Sequence, residues 1–329
     1  MYIVAFYLTY RLLRVLIAER GLGTDKETVL NLFFWGIIGV LVGGRLLSVI
    51  VYDPTGYYLR NPLQIIVPFV RQNGQWHFTG LQGMAYHGGL AGAMVSVALY
   101  CRAKKLPVAE WMDMIATCTP IGYAFGRLGN FINGELYGRV TSVPWGVVFP
   151  NAPRFSASEE WVRNLSTRSG IDISSEDVLV NLARHPSQLY EAILEGILLF
   201  FVLWFILRKR ARFPGVLFSS YLIGYGVVRF AVEYLRQPDP GLDFPIKLMQ
   251  VANPSEISLL NFTTGQILCA IMIVTGVLSL VVCGHRFSQA ASGAVRYKRE
   301  APEKKRSHVN SGRRRPAAKR QTRRKSLSR

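Results

Sequence analysis

Four short segments of this 329-residue chain carry residue types suited to holding an anion and moving a proton. The first is Tyr86-His87-Gly88-Gly89-Leu90. The second is Gly126-Arg127-Leu128-Gly129-Asn130-Phe131-Ile132-Asn133-Gly134-Glu135. The third runs His185-Pro186-Ser187-Gln188-Leu189-Tyr190-Glu191, and the fourth joins Gly224-Tyr225-Gly226 to Arg229, Glu233 and Arg236. On a helix, Tyr225, Arg229 and Glu233 stand at i, i+4, i+8 and Arg236 follows Glu233 by three, so they form one polar stripe. Arg127 and Asn130 share a face at i, i+3, and Gly126 and Gly129 beside them would let another helix or a lipid approach closely. Arginine grips phosphate-like oxygens with a planar fork and stays charged in low dielectric, while imidazole is the side chain that exchanges a proton near neutral pH.

The elements that position these groups are expected to be membrane helices. Half of the residues are apolar, only 18% are charged and the mean hydropathy is +0.21. A soluble protein of this length would show more charge, and a run of roughly 20 apolar residues is enough to cross a bilayer as helix. Candidate spans lie near 1–17, 31–52, 84–101, 112–133, 190–207, 215–235 and 262–283. The first is short and carries Arg11 and Arg14; the fourth holds polar residues. The expected fold is an all-α polytopic membrane protein of about seven transmembrane helices.

Loop charges give an orientation, because basic residues beside spans mark the cytoplasmic face. Arg102, Lys104 and Lys105 lie in one connection, and Arg208, Lys209, Arg210 and Arg212 in another. With these and the C-terminal tail on one side, the N-terminus and the segments 53–83, 136–189 and 236–261 fall outside. The stretch 136–189 mixes Glu159, Glu160, Asp172, Glu176 and Asp177 with Pro and Ser and reads as a small extracytoplasmic head. His87, the Arg127–Glu135 group, the His185–Glu191 group and the Tyr225–Arg236 group then reach the same depth from four helices, a convergence that loop charge did not impose. Ionisable residues in spans are costly and usually face a bundle interior or a wet cavity. One Arg pairing with Glu233 or Glu135 could serve only as a tie between helices. Four helices meeting at one depth argue for a site near the outer leaflet.

The chain divides into a transmembrane domain, 1–285, and a basic tail, 286–329. The tail holds sixteen Lys/Arg with only Glu300 and Glu303, so it carries +14 of the net +19. Its paucity of large apolar residues is the composition of a disordered segment. Beside a membrane span such a run is a solvated cytoplasmic tail drawn to anionic headgroups, and no nucleic-acid partner is expected. Cys101, Cys118, Cys269 and Cys283 are isolated in or beside apolar spans, so they read as packing residues rather than metal ligands or a disulfide framework. No metal or cofactor is expected, nor a cleavable signal peptide, since no small-residue cleavage site follows the first apolar run.

Taken in order and with their spacing, the four segments resemble those of the bacterial prolipoprotein diacylglyceryl transferases, from the first residue to about residue 284. The Gly-Arg-Leu-Gly-Asn block is the specific part of the likeness. The resemblance implies a transferase of the inner membrane that moves the diacylglyceryl group of phosphatidylglycerol to the lipobox cysteine of a prolipoprotein, releasing glycerol phosphate. It implies functional roles for His87, Arg127, Glu135, Arg229 and Glu233, and substrate contacts from Arg127, Asn130, Gly138, Tyr225, Arg229 and Arg236. His87 is the first candidate for the base, and His185, ahead of Pro186, is read as positioning the helix start.

In that family an extracytoplasmic stretch ending in a Trp-Tyr-Gly-type segment usually precedes the first helix. Here Met1-Tyr2 falls inside the expected helix, and the long basic tail is outside the family's pattern. The competing readings are a transporter, since intramembrane charges also mark ion paths, and a non-catalytic lipid-binding scaffold. Against a transporter, the polar groups gather near one face, and no inverted repeat or broken-helix pair is visible. From composition, deleting residues 290–329 should leave insertion and lipid-modifying activity intact. An inserted but inactive truncation, assayed in isolated membranes, would contradict this.

Overall fold

The computed structural model describes residues 1–300 except 52–55, 66–68, 73–74, 79–85, 172, 174–177, 238–244, 251–252, 254–255 and 257. Seven long helices account for most of the described residues: α1 Tyr2–Glu19, α2 Lys26–Val51, α3 Tyr86–Ala103, α4 Val108–Asn133, α5 Ser187–Leu207, α6 Val216–Val232 and α7 Thr264–Glu300. Lys26–Ile50, Ser187–Leu207 and Thr264–Ala290 are each long and apolar enough to cross a membrane. The seventeen residues of α6 are apolar but shorter. Charge weakens the signal in α1 (Arg11, Arg14) and α4 (Glu110, Asp113, Arg127). The chain is a helical membrane protein, and its helices turn Ile37, Ile50, Leu99, Phe201, Val227 and Leu278 outward as exposed apolar side chains. In water such a surface would drive association; in a bilayer it is solvated.

Met1–Phe287 forms one compact unit. Two differences from the sequence reading stand out. The last span was expected to end near 283 and the tail to be irregular from 286, whereas helix continues to Glu300. The expected disorder of 301–329 lies outside the described residues, as do Asp172, Glu176 and Asp177. In addition, α6 ends at Val232, so Glu233 is its C-cap and Arg236 lies in the turn beyond, not on the helix.

Small residues let α2 and α3 touch backbone to backbone. A Cβ built on Gly92 would sit against the carbonyl oxygen of Gly39, and one on Gly43 would meet that of Gly88. Of Gly126 and Gly129, expected to let a helix or a lipid approach closely, Gly126 faces open space and Gly129 touches Met1, so neither seats another helix as Gly92 does. Leu13, Leu16, Val29, Val97, Trp111 and Met114 close a core among α1–α4, and Leu199, Leu203, Tyr221, Leu222 and Tyr225 close a second between α5 and α6.

Buried Asp113 of α4 supplies a further tie. Its carboxylate accepts from the backbone N–H of Gly215 and of Phe218, each at 2.8 Å, so one helix caps the N-terminus of another. That satisfies donors which have no partner inside their own helix.

Between α4 and α5, the described residues of 135–186 form a small layer with its own core of Val140, Ala157, Val162, Val180 and Leu182. It contains a two-residue antiparallel pairing of β1 (Phe155–Ser156) with β2 (Leu179–Val180) and a short helix, Glu160–Arg168. Arg184, fully buried, stacks over the rings of Tyr137 and Phe155 and donates to Pro153 O at 3.1 Å. Gly92→Val should therefore force α2 and α3 apart at a cost of about 1–3 kcal/mol, read as a lower Tm in detergent. Gly126→Ala, which meets no neighbour, should be neutral or slightly stabilising, and equal losses for the two would contradict the packing argument.

Candidate active site

The polar segments meet where α4, α5 and α6 cross. On α5 the first turn, Ser187–Glu191, is α-helical; Ala192–Leu198 and Val202–Leu207 then follow wider π-type turns, as in the bond from Arg208 N–H to Leu203 O. Such turns are uncommon and are frequently found at functional sites. Gly196 lies hard against Ala124 of α4, where a Cβ would approach the Ala124 Cβ to 2.5 Å. That close approach sets the carboxylates of Glu191 and Glu195, both 0% exposed, against the polar face of α4.

Glu191 is the hub. Its Oε2 lies 2.6 Å from Arg127 Nε, and its Oε1 lies 3.0 Å from Arg229 Nη1 and 3.9 Å from Arg236 Nε. The other nitrogen of the Arg229 fork, Nη2, pairs with Glu233 at 3.0 Å, and Nη1 also comes to 3.7 Å from Glu195. Glu233 in turn accepts from Thr263 Oγ1 at 3.2 Å. Arg127 and Arg229 are 9% and 6% exposed, so these charges interact in a low-dielectric setting where pairing is obligatory.

Tyr123 links the pairs. Arg127 Nε donates to its hydroxyl at 2.8 Å, and that hydroxyl lies 2.5 Å from Glu195 Oε2, 3.4 Å from Glu191 Oε2 and 3.5 Å from the hydroxyl of Tyr225. Tyr123 also forms part of the wall of an apolar cavity of about 520 Å³ between α1, α2, α3, α4 and α6, with Phe6, Leu32, Val40, Leu90 and Met94.

Of the residues singled out in the sequence, Arg127, Tyr225, Arg229, Glu233 and Arg236 thus come together. Glu135 does not pair with Arg127. Gly134, at φ 67°, ends α4 in the left-handed conformation that glycine adopts without strain. The chain then folds back so that Glu135 Oε1 accepts from Asn130 Nδ2 at 2.9 Å and Asn133 Nδ2 at 3.2 Å. Gln188 of α5 donates to Glu135 O at 2.7 Å. Leu136 holds φ 56°, a costly value for a branched side chain, immediately beside this turn.

Gly138 is a crossing point. It bridges to Arg236 and donates to His185 O, and a Cβ there would fall 2.6–2.7 Å from Leu235 O and from the Cβ and O of His185. His185 bonds through its backbone to Gly138 and Arg139, and its Nδ1 lies 3.3 Å from Tyr190 Oη. Burial holds its imidazole below the usual range. His87, in the first turn of α3, places Nε2 3.8 Å from the thiol of Cys269.

The sequence reading missed Tyr123 and Glu195 as site residues and noted Glu191 only as a polar residue at a helix start. Two of them stand one helical turn from a residue of the marked segments: Tyr123 is at i−4 from Arg127, and Glu195 at i+4 from Glu191. Glu191→Ala should leave Arg127 and Arg229 buried without their common anion, costing about 3–5 kcal/mol. The measurement is thermal unfolding in detergent, with Glu135→Ala, whose carboxylate bonds only to neutral amides among the contacts described above, as the milder comparison. A smaller loss for Glu191→Ala than for Glu135→Ala would contradict the hub.

A sequence profile of the family described as prolipoprotein diacylglyceryl transferase matches residues 1–282. The phosphatidylglycerol–prolipoprotein diacylglyceryl transferase of Treponema pallidum is 43% identical over 289 residues, covering 84% of this chain and 86% of that protein. The protein of the same name from Chlorobaculum tepidum is 40% identical over 290 residues, covering 88% and 86%. That from Burkholderia mallei is 40% identical over 294 residues, covering 85% and 88%. The chain therefore belongs to the prolipoprotein diacylglyceryl transferase family.

Proposed function

We propose that this chain transfers the diacylglyceryl group of phosphatidylglycerol to the cysteine thiol of a prolipoprotein, with Arg127 and Arg229 holding the donor phosphate from two helices. The observation that carries this reading is the position of Tyr123, which belongs both to the buried arginine–carboxylate cluster and to the wall of the apolar cavity. A glycerophospholipid has the same division, an anionic phosphodiester joined to apolar chains. The cluster suits the headgroup and the cavity suits an acyl chain.

The reaction forms a carbon–sulfur bond at the terminal glycerol carbon of the diacylglyceryl group and breaks that carbon's bond to phosphate oxygen. The bonding pair leaves with glycerol phosphate, so negative charge grows on the phosphate. Guanidinium groups already fixed by Glu191 and Glu233 stabilise that charge without reorganising, which lowers the transition state more than the ground state. The thiol attacks as thiolate, and its proton goes to a base. His87 is our assignment, because imidazole is the side chain that exchanges a proton near neutral pH and this one sits in the first turn of α3. Asn130, Glu135 and Gly138 shape the turn after α4, and Tyr225 and Arg236 complete the donor side.

We place the site at the outer leaflet of the bacterial inner membrane, with all seven long helices spanning, the N-terminus and residues 136–189 outside, and the tail cytoplasmic. Loop charge supports that orientation. The tail's sixteen Lys/Arg suit the anionic cytoplasmic surface.

The reading is tested with purified enzyme, phosphatidylglycerol and a lipobox peptide. Arg127→Lys and Arg229→Lys keep charge but lose the planar fork. Loss of one such preorganised bond costs about 2.7–4 kcal/mol, so each should slow transfer roughly 100- to 1,000-fold. Near-normal rates in both would remove the clamp. His87→Asn should lower kcat by a factor that shrinks as pH rises toward the thiol's own pKa, ~8.5 in an unperturbed cysteine. A deficit independent of pH would make His87 a positioning residue.

A further inference from the structure

The apolar cavity has a direction, a length and a closed end. On α4 its wall runs from Tyr123 to Met112, eleven residues and about 16 Å at the rise of an α-helix. On α2 it runs from Gly44 to Leu32, about 18 Å, and on α3 from Gly89 to Val97, about 12 Å. The short connections 20–25 and 104–107 put Leu13, Leu32, Val97 and Met112 toward one end of these helices. Tyr123, Gly44 and Gly89 lie toward the other. The cavity is therefore a slot parallel to the helices.

Tyr123 sets one end of the slot against the arginine–carboxylate cluster. The opposite end is a floor: Leu13, Leu32 and Val97 are 1%, 3% and 5% exposed and share one core with Leu16, Val29, Tyr100 and Trp111. Phe218, whose N–H bonds to Asp113 beside Met112, also lines this end. Thr119, at mid-length, donates its hydroxyl hydrogen to Ile115 O at 2.8 Å, so it adds no polar demand to the wall. Protein interiors are close-packed, and an apolar void of about 520 Å³ is no site for ordered water. It suits a narrow apolar group tied at one end to an anion, which is an extended acyl chain of a phospholipid.

Such a chain enters from hydrocarbon rather than from water, so its burial alone supplies little selectivity. Selectivity comes from fit. A chain that is too short leaves a void at the floor, whose side chains lose their contacts. One that is too long must bend out over the flank at Phe6, Ile37 and Val40, which are exposed.

We propose that this slot measures one acyl chain of the donor: the chain lies along α4 from Tyr123 to Met112, and the floor of Leu13, Leu32 and Val97 sets the longest chain accepted without loss. These three are specificity-determining residues, remote from the reacting carbon. The inference rests on the donor assignment made above.

The test is an internal competition. The full chain in detergent micelles acts on an equimolar mixture of dilauroyl, dimyristoyl, dipalmitoyl and distearoyl phosphatidylglycerol with a lipobox peptide. Mass spectrometry of the lipidated peptide then gives relative kcat/KM values. Wild type should favour one length over the poorest donor by about tenfold, the low end of what a hydrophobic pocket distinguishes. Gly36→Leu fills the slot one turn from Leu32; among the described residues a Cβ there meets only Val97 Cγ2, at 3.8 Å, so the side chain grows into the void. It should move the optimum to a shorter chain. Leu32→Ala lowers the floor and should move the optimum to a longer one. Gly36→Leu, which fills space rather than emptying it, decides alone if Leu32→Ala does not fold. Wild-type ratios within about twofold across the series, or a folded Gly36→Leu that keeps the wild-type order of donors, would overturn the proposal.

A phosphatidylglycerol carrying a photoreactive diazirine at the acyl terminus supplies a readout that needs neither variant nor turnover. It should label Leu13, Leu32 or Met112; labelling confined to outward residues such as Phe201 and Leu278 would also overturn the proposal. A folded wild-type enzyme that forms no thioether-linked diacylglyceryl product from any of these donors would instead defeat the donor assignment, and this inference with it.

Discussion

The requirement to neutralise arginine inside a membrane protein governs this structure. Arg127 and Arg229 are brought in by different helices, and a guanidinium cannot shed its charge as a buried lysine can. Glu191 answers both at once, at 2.6 Å and 3.0 Å, and so fixes the separation and rotation of α4 and α6 relative to α5. The close seat of Gly196 on Ala124 and the wide turns of α5 follow from the same need, since they let a third helix deliver its carboxylates between the other two.

The peripheral structure serves that crossing. Asp113 pins the start of α6 to α4 from the opposite end, so the helix carrying Arg229 is held by a cap at one end and by ion pairs at the other. The turn after α4, with Gly134 and Leu136 both at positive φ, brings Gly138 against His185 and next to Arg236. The strained turn and the layer built on residues 135–186 therefore hold the third arginine near the same carboxylates. Glu135, which the spacing marked as a possible ion-pair partner, instead stiffens this turn by accepting from Asn130 and Asn133.

Much of this was legible in the sequence because apolar run length and helical spacing are local properties. Three of the expected spans correspond to helices long and apolar enough to cross a membrane, and the i, i+4 relation of Arg229 and Glu233 became an ion pair at 3.0 Å. The missing parts depend on contacts between segments distant in the chain. Nothing near Asp113 indicates that it caps residues 215–218, and nothing near Glu195 indicates a tyrosine 72 positions earlier. Glycine shows the same dependence: Gly126, in a marked motif, meets no neighbouring side chain, whereas Gly39 and Gly92, in plain apolar runs, make the close helix contact. The tail's helical start is a further case, since helix in α7 persists beyond the point where apolar composition ceases.

The central claim is that Arg127 and Arg229 act as one unit on the donor phosphate, joined through Glu191. A double-mutant cycle on kcat/KM for phosphatidylglycerol, comparing wild type, Arg127→Lys, Arg229→Lys and the double variant, tests it most directly. Residues in one network show interaction energies of about 0.5–3 kcal/mol, whereas independent sites add to within about 0.5 kcal/mol. The account predicts a double loss clearly smaller than the product of the two single losses. Losses that simply multiply would show that the two arginines act separately and would contradict it.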